Sequence, residues 1–170
     1  MSKTGLRKGL SELSKEEIIG VVCELYDSRK DAREYLDYWL DPDPEKALED
    51  YKERVDKMFF YSTGKNRSQP AVNDLKRLVN HFSTIVFDSE KIADLLVHIA
   101  ERQYIWLTRK RSGFNQCETA VRRACDNART YIESADLEDL YGLRLERLDE
   151  SIKDFYNDLP RPQRRWWRHL

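Results

Sequence analysis

The chain has 170 residues, 36% of them charged and 40% hydrophobic, with a formal net charge of −1. That is enough chain for one core able to bury roughly 70% of its unfolded surface without disulfide or metal staples. No apolar run approaches the roughly 20 residues a bilayer span needs, and the near-zero net charge gives no overall basic excess for nucleic acid.

The first strong helix signal is Leu13-Ser14-Lys15-Glu16-Glu17-Ile18. Ser14 and Glu17 stand at capping-box spacing, and Leu13 can pack on Ile18 across the cap. Ile18, Val21, Val22 and Leu25 follow at i, i+3, i+4, i+7. With Ile19, Cys23 and Tyr26 the apolar arc widens to roughly 200°, which calls for neighbours on two sides. Asp27 and Ser28 supply a turn and a new cap, and Ala32, Tyr35, Leu36, Trp39 and Leu40 stripe a second helix. Leu25, Leu36 and Trp39 are therefore expected in one core. Asp41-Pro42-Asp43-Pro44 stops that helix and opens a third, with Pro44 at its first position and Ala47, Leu48, Tyr51, Val55, Met58 and Phe59 along its stripe.

After a polar loop, Ser62 to Gln69, Pro70 opens a helix carrying Val72, Leu75, Val79 and Phe82. Asp88 caps a longer one through Ile92, Leu95, Leu96, Ile99, Trp106 and Leu107, ended by Ser112-Gly113. The next, about Asn115 to Ser134, presents small residues (Cys117, Ala120, Ala124) in its first turns, where a partner helix can approach closely. From Asp136 the phase slips at Gly142-Leu143-Arg144, which predicts a short helix and then a longer one. No strand pattern intervenes, and Gly20 inside a helix costs stability unless close packing needs it. The expected fold is all-α, seven or eight stacked antiparallel helices over residues 1–160, as a compact bundle or a short α-solenoid, followed by a basic and aromatic tail over residues 161–170.

No catalytic signature, cofactor loop or metal-ligand spacing stands out, so the expected role is non-catalytic, with no cofactor and no metal. His81 and His98 are isolated on their helices. Cys23, Cys117 and Cys125 lack CxxC spacing and, with no signal peptide in the N-terminal segment, are expected to be reduced core thiols of a cytoplasmic protein. Charge is segmental. Acidic residues outnumber basic ones about two to one from Glu12 to Asp56, whereas Arg102 to Arg129 carries 7 basic and 2 acidic residues. Arg109, Lys110 and Arg111 fall at a helix C-terminus, where cations favour the macrodipole; with Arg122 and Arg123 on the following helix they could make a basic face. Gln103 lies in the middle of an apolar stripe, where a buried amide must find partners or line a groove. In the tail, Arg164, Arg165, Trp166, Trp167 and Arg168 interleave arginine with tryptophan. That composition suits phosphate and stacked bases, an interfacial anchor or a docking peptide, and equally indoles folded back on the body. These eleven residues, from Gln103 to Arg168, are the candidate contact residues. The partner is expected to be another protein, with nucleic acid as the alternative and the oligomeric state open.

The runs Leu13-Ser14-Lys15-Glu16-Glu17-Ile18-Ile19, Glu24-Leu25-Tyr26-Asp27, Tyr35-Leu36-Asp37-Tyr38-Trp39-Leu40-Asp41-Pro42 and Tyr51-Lys52 to Phe59-Phe60 resemble a group of short bacterial proteins known only as a domain of unknown function. The resemblance is strongest over the first sixty residues. It implies a bacterial cytoplasmic origin and transfers no site, because that group carries no assigned activity.

Overall fold

A computed structural model describes residues 2–60, 69–109 and 114–158, with backbone alone for 114–116. Among the described residues 87% are helical and none lies in a strand, so the chain is all-α. The helices are α1 (Lys3–Ser11), α2 (Lys15–Ser28), α3 (Lys30–Leu40), α4 (Pro44–Phe60), α5 (Val72–Ile85), α6 (Ser89–Thr108), α7 (Phe114–Ser134) and α8 (Glu138–Asp158). They fall into two compact units, Met1–Asp43 and Pro44–Leu170, divided at the proline punctuation before α4.

In the first unit α2 packs on α3. The Ser14 hydroxyl accepts from the Glu17 N–H at 3.2 Å and Glu17 Oε2 accepts from the Ser14 N–H at 2.8 Å, so the capping box forms as its sequence requires. Ser28, however, ends α2, and Arg29 precedes α3 without a side-chain cap. On one flank of the hairpin the Tyr26 hydroxyl donates to Asp37 at 2.9 Å, and Arg33 Nε donates to the Tyr26 carbonyl at 3.2 Å. The expected core of Leu25, Leu36 and Trp39 does not form: Trp39 is 66% exposed, Leu25 is also exposed, and only Leu36 is half-buried. The cause is that the wide apolar arc of α2 meets a single packed helix where it could accommodate two. Cys23, on that arc, is exposed rather than a core thiol.

The second unit is built around α6, which packs against α4, α5, α7 and α8. Buried residues therefore face every side of α6, from Ala93 and Val97 to Trp106 and Leu107. Ala93, Val97, Ala128, Ile132 and Leu145 form one cluster joining α6, α7 and α8. On the α4 side the Tyr51 and Phe82 rings lie 4.9 Å apart and the Phe59 and Trp106 rings 6.3 Å apart. Asp88 caps α6 through hydrogen bonds from the Glu90 and Lys91 N–H groups at 2.9 and 3.3 Å. Asp136, at φ 57, turns the chain from α7 into α8: the Leu137 N–H reaches the Ile132 carbonyl and the Asp136 N–H the Glu133 carbonyl, a Schellman closure with aspartate at the left-handed position. The helix α8 then runs unbroken through Gly142, where two helices were expected, because Gly142 interrupts the hydrophobic phase without breaking the backbone ladder.

Polar ties join the helices of this unit. Asp56 on α4 accepts from His98 Nε2 at 2.9 Å and from Arg102 Nε and Nη2 at 2.5 and 3.1 Å. Beside it, Asp94 accepts from Lys52 at 3.0 Å and from Arg144 at 2.6 Å, while Arg144 also holds Glu101 at 2.7 and 2.8 Å. These two clusters bind α4 and α8 to α6.

Candidate functional site

With α5 on one flank of α6 and α7 on the other, the second unit has a groove of about 360 Å³ whose floor is α6. The floor is Ile92, Leu96, Ile99 and Gln103, spaced i, i+4, i+7, i+11, so a single face of α6 supplies it. Leu75 and Val79 of α5 form one wall, and Ala120 and Ala124 of α7 the other. The two alanines keep the α7 wall low, whereas the sequence suggested for their small side chains only the close approach of a partner helix. Polar groups gather at the margins: Lys76, Asn80 and Ser83 from α5, and Arg123, Asn127 and Tyr131 from α7.

Gln103 is 2% exposed, and its Oε1 accepts from Gln69 Nε2 at 2.5 Å. It is thus both a satisfied buried amide and part of the groove lining. Lys76 and Arg123 stand on opposite walls, are exposed, and have no carboxylate partner among the described residues. An apolar trough of this size with a few convergent polar groups has the ordinary make-up of a binding site.

Among the described residues the other basic candidates do not join it. Arg122 Nε donates to Glu118 one turn earlier at 2.8 Å. Arg109 follows α6, with its guanidinium 4.7 Å from the centre of the Phe60 ring. Lys110, Arg111 and the tail residues Arg164, Arg165, Trp166, Trp167 and Arg168 lie outside the described residues. Of the sequence candidates, then, Gln103 and Arg123 come together. Lys76, Asn80, Asn127 and Tyr131 are candidate site residues that the sequence reading passed over; the signal was present, since Lys76 and Asn80 follow Val72 at i+4 and i+8, and Asn127 and Tyr131 extend the line of Ala120 and Ala124.

The titratable groups near α6 have structural surroundings. Burial, and next the positive Arg102, lower the His98 pKa against the pull of Asp56, so His98 is a neutral side chain 6% exposed and shielded from any solute. Burial pushes the Asp56 and Asp94 carboxyls up, but hydrogen bonds from Arg102 and His98, and from Arg144 and Lys52, outweigh it and hold both below the usual range. Burial pushes the Cys125 thiol up to about 12. Among the described residues no group of three or more His, Cys, Asp or Glu side chains could hold a metal ion, and no helix is long and apolar enough to cross a membrane.

A family model matches residues 1–159 of the sequence. The chain belongs to a family of unknown function, DUF6155. The family description assigns no activity, so the groove of this DUF6155 chain has to be read from its own chemistry. No curated protein and no solved structure matches the chain.

Proposed function

We propose that this chain is a non-catalytic protein-binding module of the cytoplasm and that the trough between α5 and α7 is where it takes an apolar segment of its partner. The observation that carries the reading is the combination of an apolar floor, a low alanine wall and the exposed Lys76 and Arg123 at the margins of one groove. Groove recognition of this kind draws affinity from a few buried apolar anchors and orientation from polar groups at the edge. The buried thiols of Cys117 and Cys125, too far from CxxC spacing to suggest a metal or redox motif, fit a reducing compartment.

Nucleic-acid association is the second reading, and it rests on the basic segment Arg102 to Arg129 and the tail. Three of the five described arginines of that segment favour it less: Arg102 is held by Asp56, Arg122 by Glu118, and Arg129 by Asp149 at 2.7 Å. Phosphate contacts would have to displace these pairs.

Ala124→Trp tests the first reading by filling the groove from its low wall. A partner retained from lysate by the parent chain and lost by this variant, with the helical spectrum and melting unchanged, is the expected result. Retention by both forms would remove the groove from the account, and purified protein with a raised absorbance at 260 nm would turn it towards nucleic acid.

A further inference from the structure

Resting on the reading of the groove as a protein-docking site, the charge around it narrows the chemistry of what docks. The surface of the chain is rich in carboxylates, and most described basic side chains near α6 are tied to one: Lys52 to Asp94, Arg102 to Asp56, Arg144 to Glu101 and Arg122 to Glu118. Lys76 and Arg123 break that pattern, one on each wall, both exposed and both without a carboxylate partner among the described residues. The other margin groups, Asn80, Ser83 and Asn127, carry no charge. A ligand in the trough therefore meets apolar surface along its centre and uncompensated positive charge on both sides.

The shape sets the form of that ligand. The floor residues span 11 positions of one helix, from Ile92 to Gln103, a run of about 17 Å at the helical rise. A helix of about three turns presents its own i, i+3/i+4, i+7 stripe over that length, and its flanks then lie against the two walls. We propose that the groove binds an acidic amphipathic helix of a partner protein, its apolar side chains entering beside Val72, Val79 and the half-buried Leu96, above the buried Ile92 and Ile99, and its carboxylates beside Lys76 and Arg123.

Complementary charge across a rim acts chiefly on association rate and on the choice of partner, and it is screened by salt. The partner's carboxylates should therefore matter for selection more than for total affinity. An acyl-chain amphiphile would also meet apolar floor and positive margin, but it has no use for cations on both walls.

The test uses the full chain as bait for a displayed library of random peptides about 16 residues long. The expected winners share apolar residues at helical spacing with Asp or Glu on the flanks. Their synthetic forms should bind the parent chain, weaken about tenfold with Lys76→Glu and Arg123→Glu combined, and lose most of that difference in high salt. The same peptides should fail on Ala124→Trp. Circular dichroism of each variant verifies that the body is folded, and Lys76→Gln with Arg123→Gln gives the milder change if reversal disturbs it. Peptides blocked by Ala124→Trp but neutral in composition, or indifferent to the charge reversals, would overturn the acidic partner and leave the groove standing. Peptides indifferent to Ala124→Trp would overturn both. A parent chain that is dimeric in solution and monomeric as Ala124→Trp would overturn the proposal by showing that a second copy fills the groove.

Discussion

Replacing Asp56 by alanine should cost about 2–3 kcal/mol at neutral pH. Its carboxylate accepts three hydrogen bonds, one from His98 and two from Arg102, and it ties the C-terminal part of α4 to α6. Removing one member of a fully buried ion pair costs about 3–5 kcal/mol because the other charge is left stranded. The Asp56 and Arg102 side chains are 28% and 26% exposed, so water recovers part of that loss and the figure is set lower. The pH dependence has a definite sign. The His98 pKa is depressed in the folded chain, so its contribution is complete above the ordinary histidine value of about 6.5 and is lost as the pH falls towards its folded value. The Asp56 carboxyl, also lowered, contributes above its ordinary value of about 3.9 and is lost on further acidification. Urea unfolding followed by circular dichroism at pH 7.5 and 5.5 measures both effects. Parent stability should fall between those two pH values, and Asp56→Ala should shift the midpoint down at each of them with an unchanged slope. A loss under about 0.5 kcal/mol, or stability that rises on going from pH 7.5 to 5.5, would refute the view that this cluster holds α4 on α6.

Trp39→Ala should change the stability by less than about 1 kcal/mol, measured by thermal melting, because the indole is 66% exposed; a loss of several kcal/mol would return Trp39 to a core. Gly20→Ala and Gly142→Ala should each stabilise by about 0.5–1 kcal/mol, since both glycines lie inside helices and an added Cβ meets nothing within 4 Å; destabilisation in urea titrations would contradict this. In the folded chain a thiol reagent should modify Cys23 rapidly and reach Cys117 and Cys125 only in denaturant, read as one fast equivalent by mass spectrometry; three fast equivalents would show that the buried thiols are open to solvent.

The starts of α2, α4 and α6 were legible because their signals are local: a capping box at Ser14, the prolines Pro42 and Pro44 at the start of α4 and an Asp88 cap are decided within four residues of chain. The helix α1 carries no strong apolar stripe and buries no residue, so hydrophobic period gave nothing to find it by. The fate of Trp39 was not legible for a different reason. A stripe says that a helix can be covered on one side, while coverage depends on which neighbours pack there, and α2 and α3 have chiefly each other. The groove stands between these cases. Gln103 announced itself as a costly amide on an apolar face, and the alanines of α7 as a place for close helix approach, but that they wall a groove, with α5 across from them on the other flank of α6, is a matter of packing between helices distant in sequence. Arg122 and Arg123 show the limit most clearly: adjacent in sequence, they point about 100° apart on the helix, so one meets Glu118 and the other the groove.

The most direct measurement on the central claim places a photoactivatable benzophenone amino acid at Asn127, on the margin of the groove, and in a second protein at Glu146 on the exposed side of α8. Illumination in lysate should give a discrete protein adduct from position 127 that position 146 does not give and that Ala124→Trp removes. Adducts formed from position 146 and not from 127 would place the partner elsewhere on the chain and contradict the account.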